Sequence, residues 1–326
     1  MKTIEKINIA ILGCADIAQR AVLPEILQLS DYYNISGIAS RTEAKGIQCA
    51  KKFSIDYIKS YKDLIESLPD AVYIPLPNSL HAQWIENALN NNIHVLVEKP
   101  LACNYSDVFR LNNLAKKNNL ALVENFQFRF HSQLEYILNI IKSGEIGDLR
   151  SINSSFGFPP FQSNNNIRYQ SALGGGSLLD IGSYPLKISQ IILGSKIKIV
   201  GACLHFDSIK GVDTWGGAIV KQINGDLFGN LSFGFDNYYQ CSIELWGSKG
   251  RLTTNRIFTA PSDLQPKINI ENIDGVRTEI IEPDNHFKNM LLHFYKVVKN
   301  NKKKDEEYKQ NINQSRLLSE FLDYAK

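Results

Sequence analysis

The chain has 326 residues, of which 44% are hydrophobic and 21% are charged, so it is long enough for two packed domains. Its net charge of +3 is too small to predict binding to nucleic acid. The 5 cysteines form no CxxC pair and the 6 histidines show no HExxH spacing, which argues against a metal site and favours reduced thiols in the cytoplasm. No apolar run reaches membrane length, and the first residues do not resemble a signal peptide.

A glycine-containing turn follows the first predicted strand, residues 7–12. The turn reads GCADIA over residues 13–18 and opens a helix that is predicted to run to about Leu29. It is similar to the GxGxxG/A fingerprint, in which a tight turn and a helix N-terminus together bind the pyrophosphate of a dinucleotide. The predicted cofactor contacts in this turn are Gly13, Cys14, Ala15, Asp16 and Ile17.

The second predicted strand, residues 35–40, ends in Ser40 and Arg41. An NAD-binding chain usually has an acidic residue there, which holds the ribose 2′-hydroxyl. A hydroxyl and a guanidinium suit a 2′-phosphate instead, because arginine binds phosphate through charged hydrogen bonds. The sequence therefore predicts NADP(H) as the cofactor, and the alternative is an ordinary surface arginine.

The strand predicted at residues 71–76 leads into a loop and a helix. The carboxyl ends of parallel strands are where ligands bind in open α/β sheets, so this loop is expected beside the dinucleotide. The predicted cofactor contacts are Leu76, Pro77, Asn78 and His81. For His81, simple packing on the helix is an equal alternative.

The stretch IHVLVEKP, residues 93–100, combines a β-branched apolar run with three residues that are poor core material. Glu98, Lys99 and Pro100 close this predicted strand at the ligand-binding edge of the sheet. A lysine there can meet the reacting end of a cofactor. Lys99 is therefore a candidate catalytic residue, and Glu98 and Lys99 are candidate cofactor contacts; the alternative is a solvated strand end.

The alternation of strands and helices predicts two domains. Six strands alternate with helices up to Asn125, which predicts a doubly wound parallel sheet over residues 1–125. A helix at residues 130–143 and long alternating strands between residues 149 and 255 predict an α+β domain over residues 126–326, with a large, mainly antiparallel open sheet. Helices are also predicted at residues 286–299 and 314–326, and the lysines at 302–304 are predicted in a solvated loop between them.

A long insertion, residues 159–194, interrupts the predicted strands of the second domain, and loops of this length are usually functional. Three glycines at 174–176 allow a flexible turn or a close approach before a helix that starts near Ser177. Asp180 and Tyr184 are four residues apart and therefore share one face of that helix. A carboxylate beside a phenol can handle a proton; the alternative is a helix with one polar edge.

Three motifs together resemble the Gfo/Idh/MocA oxidoreductases: GCADIA, EKP, and GGGSLLDIGSY in the insertion. The resemblance covers nearly the whole chain in the right order. It implies an N-terminal Rossmann domain, a C-terminal α/β domain whose open sheet joins subunits into homodimers or homotetramers, and a catalytic Lys99 in a Lys–Pro peptide that is often cis. Tyr184 stands where inositol-type members carry histidine, which resembles the sugar and dihydrodiol branch, and Ser40–Arg41 resembles the NADP-using members.

Shorter stretches resemble the C-3 ketoreductases of deoxysugar biosynthesis: FPP at 158–160, IRYQ at 167–170, DIGSYP at 180–185 and NRIFT at 255–259. This implies NADPH-dependent reduction of a keto group on a nucleotide-linked deoxysugar. Tyr184 would be the general acid, Lys99 would stabilise the developing charge, and Asp180 would bind a sugar hydroxyl or orient Lys99. The sequence leaves open which of Lys99 and Tyr184 gives the proton. Arg168 is assigned to the cofactor site.

Two alternative functions remain at this point. An NADP-dependent aldose or trans-dihydrodiol dehydrogenase would use the same three residues. A non-catalytic NADP-binding regulator would keep GCADIA but need not keep Lys99, Asp180 and Tyr184 together.

Overall fold

The computed structural model describes residues 5–163 and 165–325, which divide into two compact units. The first unit comprises the described residues up to Phe126 together with Phe287–Ile312, and the second comprises Gln127–His286 and the described residues from Asn313 onward. The predicted boundary after residue 125 lies one residue before this division. The grouping of Phe287–Ile312 with the first unit was not predicted. In the described ranges, no helix is both long and apolar enough to cross a membrane.

The first unit is built on a six-stranded parallel sheet with the strand order β3-β2-β1-β4-β5-β6. Its strands are β1 Ile7–Leu12, β2 Tyr33–Ala39, β3 Tyr57–Ile58, β4 Ala71–Ile74, β5 His94–Glu98 and β6 Leu122–Asn125. Its helices are α1 Leu23–Gln28, which continues a π-helical turn at Ala18–Val22, α2 Glu43–Phe53, α3 Tyr61–Glu66, α4 Asn78–Asn90 and α5 Tyr105–Lys117. The prediction of a doubly wound parallel sheet is confirmed.

The central strands of this sheet are buried because their apolar runs are covered on both faces. Val95, Leu96 and Val97 of β5 are all 0% exposed. Helix α5 begins where the side chain of Asn104 accepts the backbone N–H of Asp107, a standard N-cap. The strand ends that follow these runs therefore lie at one carboxyl edge, where the polar residues emerge.

The lysines at 302–304 are helical, so the prediction of a solvated loop is wrong. They belong to α9 Asn301–Tyr324, which follows α8 His286–Val298. Lys304 is 5% exposed, and its Nζ donates to the carbonyl and side-chain oxygens of Asn119 at 2.8 and 3.2 Å. These oxygens replace water around the charge, which is why a lysine in a charged run can be buried. The helix predicted to begin at residue 314 thus begins at Asn301, and Lys326 lies outside the described residues.

The second unit contains an eight-stranded sheet with the order β14-β13-β12-β11-β7-β10-β9-β8. Its strands are β7 Leu149–Gly157, β8 Ile197–Asp207, β9 Val212–Gln222, β10 Phe228–Gly234, β11 Gln240–Gly247, β12 Gly250–Asn255, β13 Lys267–Asn272 and β14 Gly275–Ile280. All neighbours pair antiparallel except β7 and β10, which are parallel. The predicted mainly antiparallel sheet is confirmed, although the sequence prediction ended it at β12.

Helices cover one face of this second sheet. The unit begins with a 3-10 turn at Gln127–Phe130 and helix α6 Ser132–Ser143, and the long insertion contains a π-helical turn at Leu178–Gly182 followed by α7 Ser183–Leu193. Most residues of α7 are buried, and the helix packs against β7 and β10. The opposite face of the sheet carries exposed side chains that include Ile219 and Trp246.

Two buried histidines of the second unit meet edge to face, with ring centroids 5.8 Å apart. His131 is 1% exposed and His286 is 4% exposed. Burial lowers the pKa of His131, and burial together with the neighbouring His131 ring lowers the pKa of His286 to about 3. The nearby Asp284 opposes both shifts without reversing them. Both rings are therefore neutral in the folded protein at neutral pH.

We expect the free energy of unfolding to fall as the pH drops below about 6.5, the pKa of an unfolded histidine. Below that pH the unfolded chain binds a proton that folded His286 does not take up until the pH approaches about 3. One such group lowers the free energy of unfolding by about 1.4 kcal/mol for each pH unit within this window. Urea unfolding at a series of pH values measures the slope. His286→Gln should flatten it; a slope in this variant equal to that of the wild type would contradict the assignment.

Candidate active site

The turn after β1 requires glycine at its first position. Gly13 has φ +121°, and a Cβ added there would lie 2.9 Å from the Cδ2 atom of Leu76. The two residues meet because β1 and β4 pair in parallel, with Ile11 opposite Tyr73. The structure thus brings together two of the predicted cofactor-binding segments, the GCADIA turn and the loop after β4.

The helix that follows this turn presents its amino end at the same edge of the sheet. Its first backbone hydrogen bond runs from the N–H of Gln19 to the carbonyl of Ala15, at 3.2 Å. The N–H groups of the preceding turn, which includes Asp16 and Ile17, have no acceptor inside the helix and lie at its positive end. Such a terminus fits the pyrophosphate of a dinucleotide.

The end of β2 brings Ser40 and Arg41 next to the GCADIA turn. The Oγ of Ser40 accepts the N–H of Thr42 at 3.3 Å and also hydrogen-bonds the thiol of Cys14. Burial raises the pKa of that thiol, so Cys14 is a poor nucleophile at neutral pH. The backbone N–H of Arg41 donates to the hydroxyl of Tyr61 at 3.2 Å. Arg41 itself is exposed. Tyr61 was missed by the sequence analysis, since nothing in its local pattern marks it as a neighbour of Arg41.

The end of β5 is anchored by its neighbours in the sheet. The carboxylate of Glu98 accepts hydrogen bonds from the hydroxyl of Tyr73 at 2.6 Å and from the Nδ2 of Asn125 at 2.7 Å. Burial raises the pKa of Glu98, while these two bonds and the adjacent Lys99 oppose the shift. The Lys99–Pro100 peptide is cis, as the family resemblance implies. Lys99 is half-buried. The residue before it, Glu98, is held in place by its two side-chain hydrogen bonds.

Tyr73 and Asn125 were not predicted as site residues. Each faces the carboxyl edge from a strand that neighbours β5, with Asn125 directly opposite Glu98. The signal that could have found them is the alignment of strand ends, because parallel strands in register present their final side chains together.

Tyr184 is the second residue of α7 and is 7% exposed in a box of aromatic rings. Its ring centroid lies 5.8 Å from that of Phe128, 5.2 Å from that of Phe156 and 5.5 Å from that of Phe258. Its hydroxyl donates to the Oε1 of Gln127 at 3.5 Å, which is long for a hydrogen bond. The aromatic box holds the ring of Tyr184 in place, and the side-chain amide of Gln127 orients its hydroxyl.

Asp180 and Arg168 form an ion pair in the insertion. The Nε of Arg168 donates to the Oδ2 of Asp180 at 2.5 Å, and the guanidinium lies over the ring of Phe161 at 4.9 Å. The glycines at 174–176 allow this arrangement by close approach, because a Cβ at Gly175 would lie 2.5 Å from the carbonyl oxygen of Arg168. The ion pair joins two residues that were assigned to different ligands, the cofactor and the substrate.

Asp213 of β9 holds the start of the helix that carries Asp180. Its Oδ2 accepts from the Oγ of Ser177 at 2.8 Å and from the backbone N–H of Leu178 at 2.7 Å. Gly176 has φ +113°, and a Cβ there would lie 2.2 Å from the Oδ1 of Asp213. Asp213 was missed because it is distant in sequence and contacts the motif only in the folded unit.

The structure divides the predicted site residues between the two units. The first unit holds Gly13, Cys14, Ala15, Asp16, Ile17, Ser40, Arg41, Leu76, Pro77, Asn78, His81, Glu98 and Lys99, all within or next to the ends of β1, β2, β4 and β5. The second unit holds Arg168, Asp180 and Tyr184 in the insertion. The convergence of Lys99 and Tyr184 on one substrate oxygen stays a prediction.

Comparison with known proteins gives matches over most of the chain. The family model described as the Gfo/Idh/MocA oxidoreductase family, NAD-binding Rossmann fold, matches residues 7–126, and the Gfo/Idh/MocA C-terminal domain matches residues 135–253. The dTDP-3,4-didehydro-2,6-dideoxy-alpha-D-glucose 3-reductase of Streptomyces violaceoruber is 39% identical over 86% of this chain and 82% of its own length. The protein of the same name from Saccharopolyspora spinosa is 40% identical over 85% and 82%.

A solved structure matches the chain along nearly its whole length. The crystal structure of a 3-ketoreductase from Actinomadura kijaniata, in complex with NADP and TDP-benzene, superimposes with a TM-score of 0.94 at 34% sequence identity. The match covers 99% of this chain and 98% of that one. The fold is therefore shared over both units.

Proposed function

Because the chain belongs to the Gfo/Idh/MocA oxidoreductase family, we propose that it is an NADPH-dependent reductase of the C-3 keto group of a nucleotide-linked deoxysugar. The observation that carries the proposal is the end-to-end similarity to 3-ketoreductases named for dTDP-sugars, one of them solved with NADP and TDP-benzene. The cradle formed by Gly13, Leu76 and the helix amino end supports a dinucleotide, and Ser40 with Arg41 supports its 2′-phosphate.

NADPH, when bound, supplies the hydride that reaches the keto carbon. Tyr184 donates the proton of its hydroxyl to the oxygen that becomes an alkoxide, and Gln127 directs that hydroxyl. The ammonium of Lys99 stabilises the negative charge as it develops on the same oxygen. Asp180, held by Arg168, accepts a hydrogen bond from a neighbouring sugar hydroxyl. A hydride and a proton are thus added, and the ketone becomes a secondary alcohol.

A substrate panel tests this function. Purified protein is given NADPH with a dTDP-linked 3-keto-deoxysugar, and the loss of nicotinamide absorbance is followed. In parallel it is given NADP⁺ with free aldoses and with trans-dihydrodiols. We expect turnover of the 3-keto nucleotide sugar to exceed every other reaction. Faster oxidation of an aldose or a dihydrodiol would favour the dehydrogenase alternative, and no turnover with any of them would favour the binding protein.

Arg41→Ala should weaken NADPH binding about 10- to 150-fold, because a charge-assisted hydrogen bond contributes roughly 1.5–3 kcal/mol. NADH lacks the 2′-phosphate, so its affinity should change little. Titration of each reduced cofactor, followed by fluorescence, measures both constants. Lys51→Ala, which removes an exposed cation at the far end of α2, is the matched control. Equal weakening of NADPH and NADH would show that Arg41 does not read the 2′-phosphate.

The outer face of the second sheet supports assembly with a second copy of the chain. Trp215, Ile219, Phe228, Trp246 and Val276 are between 40% and 70% exposed, and the strand registers put them on one side of the sheet. These side chains share the face with polar ones, among them the ion pair of Arg251 and Glu271, and such a mixture of large apolar and charged groups occurs at subunit interfaces. We propose a homodimer or homotetramer through this face.

We also propose that the enzyme acts in the cytoplasm. Its 5 cysteines are free thiols, which is the state that a reducing compartment maintains.

Trp246→Glu and Ile219→Glu should each reduce the mass of the particle in solution towards that of one chain. Each change removes apolar contact area and places a carboxylate in the proposed interface, where its desolvation opposes association. Sedimentation velocity at a series of protein concentrations measures the mass. Ile209→Glu is the control, because Ile209 is 96% exposed in the turn between β8 and β9. A monomeric wild-type protein would contradict this assembly.

A further inference from the structure

His81 occupies a position between two of the segments of the candidate site. It lies in the first turn of α4 and is 0% exposed. Its Nδ1 is 2.7 Å from the carbonyl oxygen of Pro100, and its Nε2 is 2.8 Å from the carbonyl oxygen of Leu76. Both ring nitrogens are therefore at hydrogen-bond distance from backbone acceptors, and both acceptors belong to segments that are proposed to bind the cofactor or to react.

A neutral imidazole carries one N–H and can donate to only one of these carbonyls at a time. Burial lowers the pKa of His81, and the neighbouring cation of Lys99 lowers it further, while the two carbonyl bonds oppose the shift. The positive end of α4 also disfavours a charged ring in the first turn. At neutral pH the ring thus has one proton for two acceptors, and the tautomer determines which carbonyl is held.

The two carbonyls belong to two different segments of the candidate site. Pro100 follows Lys99 directly, so the carbonyl of Pro100 moves with the turn that carries the lysine. A Cβ added at Gly13 would lie 2.9 Å from the Cδ2 of Leu76, so the carbonyl of Leu76 belongs to a loop that lies against the turn proposed to hold the pyrophosphate. A change in either segment changes the distance to one nitrogen of the same ring.

We propose that His81 is a positioning residue, which links the turn carrying Lys99 to the loop carrying Leu76 by donating its ring N–H to one carbonyl or the other. This inference rests on the proposed roles of Lys99 and of the loop after β4. His81 acts here through the backbone of its neighbours, and its ring partners in the described structure are these two carbonyls. The link gives a physical route by which an occupied dinucleotide site sets the position of the lysine.

Two amide variants separate the two bonds. The amide nitrogen of asparagine can occupy the place of Nδ1, and that of glutamine can reach the place of Nε2. His81→Asn should therefore retain the donor to Pro100 and lose the donor to Leu76, and His81→Gln should do the opposite. Leaving a buried carbonyl without its donor should change the rate of hydride transfer or the affinity for NADPH, whichever depends on that carbonyl, by about 5- to 150-fold.

The expected result is a split between two measurements. His81→Gln should slow single-turnover hydride transfer more than it weakens NADPH binding, and His81→Asn should weaken NADPH binding more than it slows transfer. Gln83→Ala, an exposed change on the same helix, is the control that should alter neither. Equal losses of rate and affinity in the two amide variants would overturn the proposal, because a merely structural histidine would affect both quantities together.

A second measurement uses the unmodified protein. ¹⁵N shifts of the imidazole nitrogens report the tautomer of each histidine. Saturation with NADP⁺ should change the tautomer populations of His81, because the cofactor contacts the segment that contains Leu76. Unchanged His81 signals at saturation would overturn the link. A change with NADP⁺ in a protein that reduces no 3-keto sugar would support the link while contradicting the proposed function, so the two failures are distinguishable.

Discussion

Lys99→Ala should slow hydride transfer by about 10²–10³-fold while leaving NADPH affinity nearly intact. The expectation follows from how the lysine is held. Glu98 is held by Tyr73 and Asn125 on one side of Lys99, and on the other side the carbonyl of Pro100 lies 2.7 Å from the Nδ1 of His81, which donates to it in one of the two tautomers. A charge that is already in place stabilises the developing oxyanion without reorganisation, which is why its removal is costly.

Single-turnover kinetics with a 3-keto nucleotide sugar measure this effect free of product release. Lys99→Met keeps the length and the apolar stem of the side chain, so it separates loss of charge from loss of packing. Lys116→Ala removes an exposed lysine from α5 and is the matched control. Rates near that of the wild type in both Lys99 variants would exclude the lysine from charge stabilisation. A rate deficit in Lys99→Ala alone would instead assign its role to packing.

The parallel half of the fold is predictable because local and global preferences agree there. The apolar residues Ile93, Val95, Leu96 and Val97 are mostly β-branched, which suits a strand buried on both faces, and in the structure they are 0–1% exposed. The turn at Gly13 is predictable for a similar reason, since a positive φ and a close approach to Leu76 both require glycine. These features are set by residues that are near one another in sequence.

The parts that sequence reasoning missed depend on distant contacts. Strands β13 and β14 escaped it because the outer positions of β13 are polar and most residues of β14 are exposed, so that neither shows a clear buried face in the sequence. Lys304 was assigned to solvent because its composition suits water, whereas the carbonyl and side chain of Asn119 solvate it inside the fold. Burial of a charge cannot be predicted without knowing which oxygens surround it.

The same limit applies within the candidate site. Tyr184 was identified by its spacing from Asp180, but the partner of Asp180 is Arg168, and the partner of the Tyr184 hydroxyl is Gln127. Helical spacing says which side chains share a face and nothing about what packs against that face. The aromatic box around Tyr184 is therefore a finding of the structure.

Tyr184→Phe should lower the rate of hydride transfer by about 10²–10⁴-fold, the range in which a positioned general acid contributes. The variant removes one oxygen and keeps the ring that packs against Phe156 and Phe258, so the fold and the cofactor site should be intact. Tyr136→Phe, at a half-buried phenol on α6, is the control for losing a tyrosine hydroxyl. NADPH titration and thermal unfolding of each variant check that binding and stability are unchanged.

The double variant Lys99→Ala with Tyr184→Phe decides whether the two residues act on one oxygen. If they do, the double variant should be little slower than the poorer single variant, because residues that act as a unit give non-additive losses. If the rate losses of the two single variants multiply in the double variant, Lys99 and Tyr184 act on separate steps. A rate near that of the wild type in Tyr184→Phe alone would leave Lys99 or water as the proton donor. Rates near that of the wild type in both single variants would remove the catalytic assignment and favour a cofactor-binding protein without turnover.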